Sequence, residues 1–112
     1  MVTKVKNITM IRGDTVQFTL ALKNTDIIPD EIWFSVRKNS DAPDYVFQKS
    51  LDNGITPDNE GGYLVRIAPE DTQELTAGQY IYDLELKINE DIATPLMGKI
   101  ELVADVTRRP ME

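Results

Sequence analysis

Thr15-Val16-Gln17-Phe18-Thr19-Leu20-Ala21-Leu22-Lys23 sets Val16, Phe18, Leu20 and Leu22 on one side of an extended chain and Thr15, Gln17, Thr19 and Lys23 on the other. Successive side chains of a strand point to opposite faces, so such a stretch buries one face and leaves the other wet. The same period returns in Tyr80-Ile81-Tyr82-Asp83-Leu84-Glu85-Leu86-Lys87-Ile88, where Tyr80, Tyr82, Leu84, Leu86 and Ile88 oppose Asp83, Glu85 and Lys87. Wound at the helical period, these apolar residues would scatter around the cylinder and make no stripe. Two long half-buried strands therefore anchor an all-β reading.

Working outward, Glu31 to Lys38 is a further strand, with Ile32, Phe34 and Val36 on one face and Trp33, Ser35 and Arg37 on the other. Both faces carry a large apolar residue, so the period alone leaves the buried one open. Tyr45 to Leu51 and Gly62 to Ala68 are shorter strands bounded by turn-rich runs, 39–44, 52–54 and 58–62. Val5 to Ile11 and Met97 to Val106 complete about seven strands, the number and spacing of a sandwich or barrel. Pro69 to Leu75 reads as one short helical turn, with Pro at its start and acids near the positive end of the peptide dipoles.

The segment after that turn, Ala77-Gly78-Gln79-Tyr80-Ile81-Tyr82, resembles the corner before the penultimate strand of immunoglobulin domains. There a Tyr hydroxyl bonds back to the chain just upstream. Tyr80 takes that role, with Gly78 in the turn ahead of it, and Tyr82 takes the inward place where antibody domains keep a cysteine. The expected fold is an immunoglobulin-like antiparallel β-sandwich in one domain, 1–112, with a core of Val16, Phe18, Leu20, Leu22, Phe34, Val36, Val65, Ile67, Tyr80, Tyr82, Leu84, Leu86, Ile100 and Leu102. With no cysteine in the chain, that core holds by packing alone. The tail Arg108-Arg109-Pro110-Met111-Glu112 is expected to be loose.

Composition narrows the function. The 112 residues are 41% hydrophobic and 28% charged, ordinary for a globular protein. No apolar run approaches the ~20 residues that span a bilayer, and the start lacks a signal-peptide core, so a soluble chain without membrane insertion is expected. A net charge of -7 repels a phosphate backbone, which argues against nucleic acid as a partner.

The absence of histidine and cysteine removes imidazole-assisted and thiolate nucleophiles. The reading is therefore non-enzymatic, with no catalytic residues, no cofactor and no metal ligands. The 19 acidic residues offer many carboxylate pairs, but on exposed strand faces and turns a solvated surface is the simpler account. Asp52, Asp58 and Glu60 crowd one loop region without a calcium-loop spacing, and Asp, Asn and Gly are also the ordinary residues of tight turns.

Arg12-Gly13-Asp14 spells an integrin-recognised tripeptide, yet it directly precedes the strongest strand. Gly13 can supply a turn conformation closed to other residues, and Asp14 can bond backbone groups at the strand start. Asn7-Ile8-Thr9 is a glycosylation acceptor only in a secreted eukaryotic setting. Trp33 is either core, the commoner fate of tryptophan in small sandwiches, or an exposed contact residue. Together with Tyr45 and Tyr63 it forms the candidate interface set, and these three would also serve a carbohydrate-binding or adhesion module as stacking surfaces.

The series Ile11-Arg12-Gly13-Asp14-Thr15, Glu70-Asp71-Thr72, Ala77-Gly78-Gln79-Tyr80-Ile81-Tyr82-Asp83-Leu84, Gly98-Lys99-Ile100-Glu101-Leu102-Val103 and Asp105-Val106-Thr107-Arg108 resembles small phage and prophage structural proteins with an immunoglobulin-like fold. The N-terminal domains of siphophage baseplate upper proteins are among them. The resemblance implies a virion component of the baseplate, tail or neck and head accessories, assembled in the bacterial cytoplasm. Its partners would be other virion proteins or further copies of itself. Baseplate upper proteins continue into receptor-binding parts, so the 112-residue length fits a free-standing accessory protein better. Sheet-edge pairing through Val5 to Ile11 and Met97 to Val106 is the expected mode of contact.

Overall fold

A computed structural model describes residues 3–22 and 28–107. Met1 and Val2, Lys23 at the end of the first-quoted strand, and the tail Arg108 to Glu112 lie outside the described residues. The elements are β1 (Lys4–Val5), β2 (Ile8–Ile11), β3 (Val16–Ala21), β4 (Glu31–Arg37), β5 (Phe47–Leu51), β6 (Gly54–Pro57), β7 (Gly62–Ile67), α1 (Pro69–Thr72), β8 (Gly78–Ile88) and β9 (Asp91–Val103). Two of these strands exceed the expected number. The N-terminal strand is interrupted at Lys6 and Asn7, and Gly54–Pro57 pairs as a strand although the sequence reading ends a turn at Gly54 and assigns no strand to the three residues after it. β9 also begins six residues before Met97, because Asn89 adopts a positive φ of 57° and lets the chain reverse at once after β8.

Hydrogen bonding runs in the order β1-β9-β8-β4-β5-β6-β7-β3, with β2 also beside β9. The sheet curls over at β5 and β6, which pair in parallel only across Ser50–Gly54 and Leu51–Ile55. That brings β6, β7 and β3 to face the layer of β1, β2, β9, β8, β4 and β5. Phe18 of β3 and Phe34 of β4 are not on bonded strands, yet their rings meet edge to face at 5.6 Å between centroids. The two layers thus close on one apolar cluster, and the fold is an immunoglobulin-like β-sandwich.

The phase of β4 is now plain. Ile32, Phe34 and Val36 are wholly buried with Ile55, Val65, Ile67, Leu84 and Leu86, while Trp33 takes the outer side. The expected core residues Val16 and Phe18 are only half-buried, because β3 is the last strand of its layer and has no neighbour beyond it among the described residues.

Local chemistry fastens the ends of the sandwich. The Tyr80 hydroxyl donates to the Thr76 carbonyl at 2.6 Å, and the Lys38 ammonium lies 4.4 Å from the centre of the Tyr80 ring. Tyr80→Phe keeps the packing and leaves that carbonyl without its donor, at an expected cost of about 1–2 kcal/mol. A thermal melt should show a Tm lower by roughly 5–10 °C, and an unchanged Tm would mean the corner bond contributes nothing.

On the other side of α1, Asp71 accepts the Ala68 N–H at 2.7 Å and pairs with Lys49 at 2.7 Å, tying the helical turn to β5. The buried Thr72 hydroxyl accepts the Gly13 N–H at 2.8 Å, holding the turn between β2 and β3 against α1. Gly13 and Gly78 have φ of 86° and 145°, values that side-chain-bearing residues rarely adopt.

Candidate functional site

The inner faces of both layers are consumed by the core, and the outer face of the larger layer is itself a shaped surface. It forms a shallow, open hollow of about 940 Å³ running across β1, β9, β8, β4 and β5. The out-of-phase residues of each strand line it: Trp33, Ser35 and Arg37 from β4, Gln48 from β5, Ile81, Asp83 and Glu85 from β8, and Met97 and Lys99 from β9. Val5 of β1 stands at one margin, 72% exposed, and Tyr45, leading into β5, stands at the other, 49% exposed.

Of the three candidate interface residues, Trp33 and Tyr45 share this hollow and Tyr63 does not. Tyr63 belongs to β7, on the same side as Val65 and Ile67, and packs against the core. Trp33 is not a core residue. Its indole N–H donates to Glu31 Oε1 at 2.9 Å, and that bond is the chief reason the Glu31 carboxyl titrates below its ordinary range. The nearby Lys87 ammonium, 3.5 Å from Glu31, acts in the same direction. The Arg37 guanidinium sits 5.3 Å from the centre of the Tyr45 ring, a cation–π contact. Gln48 donates to the Ser35 hydroxyl at 2.8 Å.

Burial raises the Asp83 carboxyl above its usual pKa, and the positive charge of Arg37 offsets only part of that. Desolvation likewise raises Tyr82, whose hydroxyl donates to the Lys6 carbonyl at 2.6 Å beneath the Val5 margin. Arg37, Ile81, Asp83 and Met97 were legible only indirectly: once Trp33 faces outward, each residue two positions along its strand and its cross-strand neighbours must share that face.

The remaining motifs resolve into structure. Arg12 bonds Asp105 at 2.8 Å and the Leu75 carbonyl at 3.1 Å, so its guanidinium is engaged within the fold. At Asp14 the turn bond is made by the backbone N–H to the Ile11 carbonyl, at 3.1 Å, in place of the expected carboxylate contact. Asp58 Oδ1 accepts the N–H groups of Glu60 and Gly62 at 2.8 and 2.9 Å, which makes it a turn residue. Asn7 Oδ1 accepts the Lys99 N–H at 3.1 Å. Among the described residues no group of acidic side chains is arranged to hold a metal ion.

The expected edges need correction. Met97–Val103 is no edge, since β8 bonds it on one side and β1 and β2 on the other. The outer strands are β1 with β2 at one end and β3 at the other.

No protein-family model matches the chain, and no curated protein sequence matches it either. Solved structures do. The chain is similar to a segment of a candidate glycoside hydrolase from Bacteroides vulgatus, with 15% identity and a TM-score of 0.51 over 88% of this chain. It spans only 16% of that protein's length. It is also similar to the extracellular domain of the voltage-gated sodium channel β4 subunit, at 14% identity and a TM-score of 0.47, covering 95% of this chain and 97% of that one. Mouse leukocyte-associated immunoglobulin-like receptor 1 gives 13% identity and a TM-score of 0.48, covering 95% and 89%. Likeness at such identity speaks to the fold and leaves function to the surface itself.

Proposed function

We propose that this chain is a non-enzymatic structural protein of a bacteriophage or prophage particle, acting in the virion through contacts with other proteins. The observation that carries the contact role is the outer face of the larger layer. It combines an aromatic margin, Trp33 and Tyr45, an apolar margin, Val5 and Met97, and charges of both signs between them. Aromatic and Arg side chains set in a hollow are the usual anchors of protein interfaces. The virion assignment rests on the sequence resemblance to phage immunoglobulin-like proteins, and the lack of histidine and cysteine supports a role without catalysis.

In that setting the protein is a baseplate, tail or neck and head accessory, assembled in the bacterial cytoplasm. Mass spectrometry of purified particles from an induced host carrying the gene is expected to find the chain in stoichiometric amounts. Its absence from intact particles would overturn the virion assignment.

One observation favours a second reading, a carbohydrate-binding or adhesion module. Trp33 and Tyr45 share a hollow with Asp83, Arg37 and Gln48, and a sugar ring stacked on an aromatic needs such polar groups beside it. A glycan array that binds the protein, and loses binding in Trp33→Ala, would establish that reading. An array without hits would remove it.

A further inference from the structure

The strand registers order the charges of this face into rows. Arg37 of β4 lies opposite Ile81 of β8, which lies opposite Lys99 of β9, so one row across the layer is basic. The next row holds Ser35, Asp83 and Met97, and the one after it Trp33 and Glu85, so the neighbouring rows are acidic. The hollow therefore carries two cations and two carboxylates, although the whole chain carries -7. Two copies repel each other through most of their surface, and this face is where that repulsion is locally cancelled.

β8 runs through the middle of the layer, with the Val5 margin on one side and the Tyr45 margin on the other. A twofold axis can bring two such faces together in two simple ways. An axis parallel to the strands lays the basic row on the partner's basic row, an arrangement that like charges strongly disfavour. An axis perpendicular to the strands, lying between the faces and crossing between the basic and the acidic rows, reverses their direction and lays the basic row on the acidic rows. It also sets each margin against its own kind, Tyr45 near Tyr45 and Val5 near Val5.

We propose that the occupant of this face is a second copy of the chain. The dimer is isologous, with strands antiparallel across the contact and the Arg37–Lys99 row of each copy over the partner's Asp83 and Glu85. This deepens the reading of the face as a contact surface and rests on it. Asp83 is already partly stripped of water by its own fold, so a cation from the partner offsets a desolvation that the monomer leaves only partly compensated. The exposed Val5 and Tyr45 gain cover in the same step.

The test is a charge-reversal exchange, read by light scattering coupled to size exclusion over a concentration series. The native protein is expected to dimerise. Arg37→Asp and Asp83→Arg should each weaken self-association at least about tenfold, since each sets like charges against each other. Mixed in equal amounts, the two variants should form a heterodimer, because only the mixed pair restores opposite charges at both symmetry-related contacts. Restoration between chains cannot come from repairing the fold within one. Circular dichroism checks that each variant is folded, and Lys99→Glu with Glu85→Lys provides a second exchange pair if either fails.

A native protein that stays monomeric up to about 1 mM, a concentration at which even weak contacts register, would overturn the dimer. So would a dimer indifferent to the reversals, which would place the contact on another surface such as the β3 side of the sheet. Neither result touches the virion assignment, which particle composition tests separately.

Discussion

Phe34→Ala is expected to cost about 3–5 kcal/mol, the range for deleting a fully buried aromatic ring. Phe34 has no exposed surface, and its ring is the meeting point of both layers. It touches Phe18 of β3 at 5.6 Å, Tyr82 of β8 at 5.3 Å and Phe47 of β5 at 6.2 Å between ring centroids. Those three neighbours sit on different strands, so none can move into the void without breaking its own pairing. A domain of this size is stable by about 5–15 kcal/mol in all, so the variant should be marginal or unfolded at 37 °C.

Urea unfolding followed by Trp33 fluorescence checks this, since Trp33 is the single tryptophan and lies on the neighbouring position of the same strand. Phe34→Leu, which keeps most of the volume, should lose markedly less, about 1.5 kcal/mol or below. Equal, small losses in both variants would mean that the centre of packing lies elsewhere.

The second large effect comes from a residue with no side chain. A Cβ placed on Gly98 would overlap the Lys6 carbonyl oxygen and lie 2.8 Å from its carbonyl carbon, closer than the 3.0 Å that real Cβ atoms respect. Both atoms are backbone and cannot rotate away. Gly98→Ala must therefore push the junction of β1 and β2 off β9. Three bonds gather at that junction: Lys6 N–H to the Met97 carbonyl at 2.9 Å, Tyr82 Oη–H to the Lys6 carbonyl at 2.6 Å, and Lys99 N–H to Asn7 Oδ1 at 3.1 Å.

Overpacking of about 1–3 kcal/mol, together with a buried hydroxyl left unpaired at about 1–3 kcal/mol, gives an expected loss of about 2–5 kcal/mol. Hydrogen exchange should show the amides of β1 and β2 losing protection while those of β4 and β8 keep theirs. A variant with native protection in β1 and β2 would refute the close approach. A Gly→Ala change at an open site would act oppositely, stabilising slightly by restricting the unfolded chain.

Both effects show where the sequence was informative. Phe34 is marked as a core candidate by its phase with Ile32 and Val36, whereas nothing around Gly98 announces that the N-terminal strand passes over it. The difference is one of range. Period-two alternation is a local property, written into each strand by the two-sided pleat, and it is enough to place Leu20, Val65, Tyr82, Leu84 and Ile100 in the core, whereas in β4 it sets Phe34 with Ile32 and Val36 and leaves the choice between that face and the Trp33 face to the tertiary structure. The Tyr80 corner was legible for the same reason, since its donor and acceptor are four residues apart.

By itself, then, the sequence determined an all-β chain, the inward residues of its long strands, the corner tyrosine and the exclusion of histidine- and cysteine-based chemistry. Alternation names a face, and it does not name a neighbour. That β9 lies inside the layer with β1 and β2 beyond it, that β3 ends the order of described strands, that Trp33 faces outward, and that Arg37, Lys99, Asp83 and Glu85 fall into charged rows were set by pairing between strands far apart in the chain. Such pairing depends on how a twisted sheet curls and closes on its core, a balance of loop closure and burial that no single segment carries.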